Sequence, residues 1–426
     1  MEYILPVCLL LAALIIVGMP IAFAMGITGA VGLYLVGGMD AVIGILSTAT
    51  YRNTASWTLT AVPLFVFMAE VLTASRLSSD MFDTANKWFG RLPGGMAIAT
   101  IFAAAGFGAV SGSSTASAAT FARTAVPEGL RHGYQAGMMT GTVAAAGTLA
   151  ILIPPSIIMV IYGILTETSI GALFIAGLVP GLMTAFAYAV AVVVWVRRNP
   201  GSVPPSVRNS WTERLTSLRR LWPVVLLFVA VVGGMYGGVV TVTEVAAVGA
   251  VGALAIGALV LRRLSRRDLS EALERTTRTT AMIFAIVIGA HIFSYFLTMT
   301  LATQKLVGFV AALDVPRGAI LAILIVIYLI LGCLMDQLAI LVLTVPIVFP
   351  LMMKLGYDPV WFGILITMTV EIGLITPPFG MNVFVVSSIT GTPLREVFRG
   401  VMPFVLAALL VLLVYAMFPG LVTWTT

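Results

Sequence analysis

The chain has 426 residues, 60% of them hydrophobic and 9% charged, with a formal net charge of +6 and a mean hydropathy of +1.10. A soluble domain carries about 25% charged residues, so this composition excludes a water-soluble globular protein and places the chain in lipid. Nor is the positive charge a nucleic-acid surface, because the basic residues fall in short polar segments between apolar runs.

A membrane-spanning helix needs roughly 20 apolar residues. In chain order, the runs that meet this lie at 4–37, 58–75, 133–165, 170–196, 222–238, 243–261, 279–300, 359–389 and 401–418. The first is interrupted by Gly18-Met19-Pro20, which allows two short helices or one kinked one. It has no basic leader and no polar mature domain follows it, so it reads as retained rather than as a signal peptide. Cys8 and Cys333 are the only cysteines and form no metal or redox motif.

Residues 93–180 reappear as 316–403 at a constant offset of 223. All five prolines of the first copy (93, 127, 154, 155, 180) fall on prolines of the second, which has eight in 88 positions. Gly95/Gly318, Gly133/Gly356, Tyr134/Tyr357 and Gly177/Gly400 also coincide. Glycine and proline fix breaks in the backbone, so the copies share structure more than sequence. Five crossings separate them, and an odd number inverts the second copy. Charge agrees with this topology. Six arginines lie in 197–220 and six in 262–278, which the positive-inside rule makes cytoplasmic. That side then holds 19 of the 23 Lys and Arg, with Arg52, Lys305, Arg317 and Lys354 outside. Inverted repeats are a signature of secondary transporters.

Each copy opens with a segment bounded by prolines, 93–128 around Ser111-Gly112-Ser113-Ser114-Thr115 and 316–351 around Gly332 to Gln337. The charge pattern requires each to enter and leave on one side, as a re-entrant hairpin. Each then continues into an apolar run broken by a proline pair, Pro154-Pro155 or Pro377-Pro378. Two prolines remove two backbone donors and strand the carbonyls upstream, which is costly in hydrocarbon unless an ion, water or neighbouring protein satisfies them. The expectation is an all-α polytopic membrane protein in which hairpin tip and broken helix meet in each copy. Free carbonyls and hydroxyls there suit Na⁺, a hard cation, and half-helix N-termini suit an anionic substrate. Two copies imply at least two Na⁺ sites and call for no organic cofactor. Glu70, Glu244, His291, Asp336 and Glu371 are the ionisable residues inside apolar runs; Asp336 and Glu371 belong to the repeated core and favour a site role, whereas Glu70 and Glu244 fit the scaffold and His291 a packed position.

Pro63-Leu64-Phe65, Gly106 to Thr120, Gly133-Tyr134, Ile153-Pro154-Pro155-Ser156 and Ile375 to Asn382 together resemble the large membrane subunit of tripartite ATP-independent periplasmic (TRAP) transporters, over essentially the whole chain. The resemblance implies a multi-pass protein of the bacterial inner membrane, an importer of small organic acids such as dicarboxylates, driven by sodium symport through an elevator mechanism. As partners it implies a small four-helix membrane subunit and a periplasmic substrate-binding protein. The small subunit is expected to be separate, since the chain opens on its first apolar run. Many relatives carry Ala-Val-Ala-Asp after the tip Ser-Gly-Ser, where this chain has Ser114-Thr115-Ala116-Ser117 and so supplies no carboxylate.

Carried onto this chain, one Na⁺ site draws on Ser111, Ser113 or Ser114 with carbonyls near Gly147 and Ile153, and the second on Asp336, Gly373, Thr376 and Asn382. Substrate candidates are Ser113, Ser114, Thr115, Pro155, Pro378 and Asn382. The division is 1–92, scaffold helices and an amphipathic arm at 76–91; 93–180, transport repeat 1 with broken helix 133–165; 181–315, further scaffold with cytoplasmic loop 197–220 and a second arm at 266–278; 316–403, transport repeat 2 with broken helix 359–389; and 404–426, the end of the last helix. The competing readings are a stand-alone Na⁺/carboxylate carrier, an ion channel, and an intramembrane hydrolase pairing Ser113 or Ser114 with His291. The last lacks any zinc signature or supporting motif, so the chain is not expected to be an enzyme.

Overall fold

A computed structural model describes residues 3–205, 209–311 and 315–423, and every regular element among them is helical. Arg208, one of the six arginines of 197–220, lies outside the described residues, as does the side chain of Arg52. Nine of the described helices are long and apolar enough to cross a membrane. The first apolar run is two helices, Ile4–Ile16 and Ile21–Thr54, turning at Gly18, whose φ of +89° suits glycine, just ahead of Pro20. The second helix runs on past residue 37, with a non-helical Gly38 inside it.

Further long helices are Trp57–Ala74, Ile170–Arg198, Trp211–Tyr236, Val242–Val260, Arg266–Met299 and Leu394–Met417. Residues 266–278, expected as a second arm, instead form the first turns of the unbroken 34-residue helix Arg266–Met299. Ser265 and Asp268 close a capping box at its start, and no proline or glycine occurs before Gly289 to end it. Glu70 holds this helix to Trp57–Ala74 through Arg275, 3.7 Å away, and Glu244 caps its own helix with Thr241.

The first arm is the helix Leu77–Phe89. Leu77, Met81 and Phe82 bury one face against the first hairpin, while Thr84 Oγ1 donates to the Ser217 carbonyl at 3.2 Å and Trp88 Nε1 to that of Arg214 at 3.3 Å. Asp80 is buried and paired with Arg263, so the arm is pinned to the scaffold by an ion pair that amphipathicity alone does not require. The helix at the same 223-residue offset is Ala302–Ala311. It occupies the position that 266–278 was expected to fill.

Each hairpin is two antiparallel helices, Gly95–Ser111 with Ser114–Arg131 and Arg317–Leu334 with Gln337–Lys354. Phe107 meets Phe121 edge-on in the first, and Tyr328 bonds Thr344 in the second. Pro127 and Pro350 do not bound the hairpins, since both sit inside the second helix. The helices end at Gly133 (φ +88°) and Gly356 (φ +80°), where Gly133 N–H donates to Leu130, Tyr134 N–H to Gly129, Gly356 N–H to Met353 and Tyr357 N–H to Met352. The paired Gly-Tyr positions are therefore left-handed helix ends. Each tyrosine hydroxyl then ties back to the start of its hairpin, at Met96 N–H or the Arg317 carbonyl.

The broken helices are Ala136–Leu152 followed by Ile157–Thr166, bent by 41°, and Pro359–Gly373 followed by Met381–Thr390. Their first halves are buried on every face along nearly their whole length, as a centrally packed helix is. Both proline pairs are joined by cis peptides.

Candidate functional site

In the first copy, the tip of the hairpin rests on the proline break. Gly112 (φ +58°) lies so close that a β-carbon on it would sit 2.9 Å from the Pro155 carbonyl oxygen and 3.5 Å from the Ile157 nitrogen. Ser113 and Ser156 cap the two helices that start there, Ser114–Arg131 and Ile157–Thr166, accepting from the backbone of Ala116 and Met159. Pro154 and Pro155 have no N–H to give the carbonyls of Ala150 and Ile151, and no other backbone N–H among the described residues is directed at them. Ile153 is extended and buried at the helix end. Gly147 lies well inside the regular helix, where its carbonyl belongs to the helical ladder. It packs closely on the hairpin, with the Ser114 carbonyl 2.9 Å from where a β-carbon would be.

The second copy repeats the contact with different chemistry. Gly332 of the hairpin faces Gly373 of the helix with no room for a side chain on either, and the Cys333 thiol, held at the Leu329 carbonyl, lies 3.7 Å from the Pro377 carbonyl. Asp336 takes the N-cap position of Gln337–Lys354 without a capping bond from its side chain. Here the stranded carbonyls are repaired: Gly373 accepts from Thr376 N–H at 3.0 Å and Leu374 from Asn382 N–H at 3.1 Å. Thr376 Oγ1 turns back onto the Ile372 carbonyl at 2.6 Å.

The two copies are joined at Ser114. Its hydroxyl donates to Glu371 Oε2 at 3.0 Å and accepts from Asn382 Nδ2 at 2.8 Å. Asn382 Nδ2 donates also to the Ala144 carbonyl at 3.2 Å. All three side chains are buried. Beside them Thr148 bonds Tyr188 at 3.1 Å, and a cavity of about 10 Å³ lies between Thr148, Thr184, Tyr188 and Glu371, space for about one water. Sequence reasoning singled out Glu371 as an intramembrane acid but did not place it with Ser114, and gave no signal for Tyr188, Thr148 or Ser117. Ser114 and Asn382, expected to touch substrate, are internal, as is Pro155; Ser113, Thr115 and Thr376 are half-buried and Pro378 is exposed.

The atoms left over at this junction are oxygens. Among the described residues, Ser111 Oγ, Ser117 Oγ, Glu371 Oε1 and Asn382 Oδ1 are buried without a hydrogen-bond partner, and Ala150 and Ile151 add carbonyls. This set fits a hard cation, which satisfies several acceptors at once; among the described residues no His/Cys/Asp/Glu group suits a transition metal. Three helix N-termini converge at the same place, those of Ser114–Arg131, Ile157–Thr166 and Met381–Thr390, linked by the Gly112–Pro155 and Ser114–Asn382 contacts. Their partial positive charge favours an anion. His291, by contrast, lies far from the serines in sequence and lines a separate polar cavity of about 250 Å³ with Ser294, Thr298 and Gln304.

A many-helix chain with paired hairpins, paired proline-broken helices and an oxygen-lined junction between them is a membrane permease. It belongs to the tripartite ATP-independent periplasmic transporter family, DctM component, whose model matches residues 8–421. It is 36% identical to the C4-dicarboxylate TRAP transporter large permease protein DctM of Pseudomonas aeruginosa, over 88% of this chain and 87% of that one. It is 35% identical to the ectoine/5-hydroxyectoine TRAP transporter large permease protein UehC of Ruegeria pomeroyi, over 85% and 84%. The crystal structure of the Alcanivorax borkumensis YdaH transporter shares the fold, with a TM-score of 0.68 at 15% identity, covering 94% of this chain and 96% of that one. These relatives are transporter permeases, not enzymes, and the chain is a multi-pass protein of the bacterial inner membrane.

Proposed function

We propose that the chain is the large permease subunit of a Na⁺-coupled importer of small carboxylates, which receives its substrate from a periplasmic binding protein and works with a small membrane subunit. The observation that carries this reading is the convergence of three helix N-termini on a junction whose spare atoms are all oxygens. The N-termini favour a carboxylate and the oxygens a Na⁺ ion, so bringing both to one place favours binding them together. The names of the relatives agree in substrate class, since C4-dicarboxylates and ectoines carry carboxylates.

The movement we propose is that of an elevator, and the packing of the helices supports it. The hairpins and broken helices pack on one another as a block, and the arm Leu77–Phe89 and its counterpart Ala302–Ala311 connect that block to long scaffold helices. Between the first hairpin and the second run five spans, the first broken helix and four long helices, and an odd number supports an inverted second copy. In the first copy the free carbonyls of Ala150 and Ile151 with Ser111 supply cation ligands; in the second Asp336 and Thr376 supply them.

The test is uptake of a radiolabelled dicarboxylate into proteoliposomes holding the chain with its small subunit and binding protein. Uptake should need an inward Na⁺ gradient, and Ser111→Ala and Thr376→Ala should each raise the Na⁺ concentration for half-maximal rate. If both variants keep the wild-type Na⁺ dependence, the ion-site assignment is wrong. Uptake that proceeds equally without the binding protein makes the chain a stand-alone carrier.

A further inference from the structure

The outer face of the paired helices Ile170–Arg198 and Leu394–Met417 carries a groove that the transport reading does not use. The two helices hold the same position in the two copies, 223 residues apart. Their inner faces are filled by packing such as Tyr188 against Phe404, with ring centroids 5.5 Å apart. The outer faces leave a cavity of about 710 Å³, walled by aliphatic side chains including the exposed Val190, Leu406 and Leu410. At one end, and only there, the lining is polar and basic: Arg198, Asn199 and Arg399, with Trp195 beside them. Among the described residues no acidic residue lines the groove and neither guanidinium is in an ion pair.

We propose that this groove is a binding site for one anionic phospholipid of the cytoplasmic leaflet, its phosphate held between Arg198 and Arg399 and an acyl chain laid along the apolar channel. The dimensions agree. The lining runs from residue 183 to 198 on one helix and from 399 to 414 on the other, roughly 22 Å at about 1.5 Å per residue, which reaches from the headgroup region past the depth of one leaflet, about half of a 30 Å hydrocarbon core. The charge agrees as well, since both arginines lie at helix ends that the positive-inside rule makes cytoplasmic, where anionic headgroups meet basic pockets between spanning helices. Trp195 sits at the depth where indole rings favour the interface. A zwitterionic lipid brings a phosphate whose charge its own ammonium already balances, so it leaves the mouth with a net positive charge that an anionic lipid cancels, and a protein helix needs an acidic residue at the same height, so the anionic lipid is the occupant that the chemistry selects. Bound there, it bridges the last helix of each copy on the face opposite the Ser114 junction, and it does so whatever the transported substrate is.

The experiment is native mass spectrometry on the whole chain, purified and stripped of lipid by detergent exchange, then titrated with dioleoylphosphatidylglycerol or dioleoylphosphatidylethanolamine. One phosphatidylglycerol should bind ahead of further, weaker additions, and phosphatidylethanolamine should not. R198Q/R399Q should weaken that first binding about 30-fold, as two basic residues at a membrane surface supply about 1 kcal/mol each. R197Q/R395Q, which removes arginines of the same helices outside the groove, should leave it near wild type, and Leu406→Trp, which fills the channel with both arginines intact, should also weaken it. All these side chains face outward, and unchanged helical circular dichroism checks that each variant folds. Equal binding of the two lipids, full retention by R198Q/R399Q, an equal loss in R197Q/R395Q, or no effect of Leu406→Trp overturns the proposal. So does displacement of the lipid by millimolar inorganic phosphate, or a wild-type dimer that R198Q/R399Q dissociates.

Discussion

Changing Asn382 to aspartate keeps the shape of the side chain and replaces an amide that donates twice by a carboxyl that donates at most once, and only while protonated. Nδ2 now donates to Ser114 Oγ at 2.8 Å and to the Ala144 carbonyl at 3.2 Å, at a position with no solvent exposure. Two hydrogen bonds between neutral groups contribute about 1 kcal/mol each. Ionised, the carboxyl oxygen in place of Nδ2 faces the Ala144 carbonyl as a second acceptor, adding roughly 1–3 kcal/mol; protonated, it can donate to one of the two acceptors, but holding the proton at pH 7 on a group of ordinary pKa about 3.9 costs about 4 kcal/mol. Glu371, bonded to the same serine hydroxyl, becomes a second buried acid nearby. Asn382→Asp should therefore lose about 3–5 kcal/mol. Asn382→Ala loses the same two bonds and leaves a small cavity, about 2–3 kcal/mol in all, so the smaller residue should be tolerated better than the isosteric one. Unfolding of the purified chain in mixed micelles, followed by circular dichroism against increasing SDS, gives the order directly. If the aspartate variant equals wild type, or is more stable than the alanine variant, Asn382 presents oxygen rather than nitrogen to Ser114 and the junction is misread. A double-mutant cycle of Ser114→Ala with Asn382→Ala should return a coupling of about 1 kcal/mol, whereas additive losses would mean that the two side chains do not meet.

Asp80→Asn should cost about 1–2 kcal/mol, a figure reduced because the Arg263 side chain is 41% exposed, and Arg263→Met should cost no more in the Asp80→Asn background than alone; the same SDS titration reads both. Gly400 packs directly on the Gly137 backbone, so Gly400→Leu should prevent the last long helix from seating on Ala136–Leu152 and abolish folded protein in size-exclusion chromatography, while Gly318→Ala, at an open position, should still elute as a folded monodisperse peak. Tyr134→Phe should remove the bond to the Met96 N–H, 3.2 Å long, for about 1 kcal/mol, with faster hydrogen exchange at the start of the first hairpin as its signature.

Much of the backbone was legible because its determinants act locally. Pro154-Pro155 and Pro377-Pro378 end helices wherever they occur, and Gly133 and Gly356 end them through a left-handed conformation that needs no knowledge of the fold. Comparing the copies made those breaks conspicuous, and the hairpin tips do rest on them. The misplacements came from longer-range effects. Basic residues at 266–278 suggested an arm, yet a continuous helix forms there because the Ser265 cap and good helix formers join it to the apolar run that follows. Pro127 and Pro350 looked like hairpin boundaries, but a proline in a helix is tolerated where neighbouring groups take over the freed carbonyl.

Partner choice is what the sequence left open. Ser114 meets Glu371 across 257 positions and Asn382 across 268, and Asp80 meets Arg263 across 183; no local spacing encodes such pairs. By itself the sequence determined a membrane chain, two copies of one backbone plan, the points where each copy breaks, and oxygen-rich chemistry at those points. Only the tertiary structure decided that Gly147 packs against the Ser114 backbone, that the second break repairs its own carbonyls while the first does not, and that the junction is made by residues from both copies. The reason is physical: a proline or glycine constrains the backbone it belongs to, whereas a buried serine or carboxylate is defined by whatever the packing of distant helices brings within about 3 Å of it.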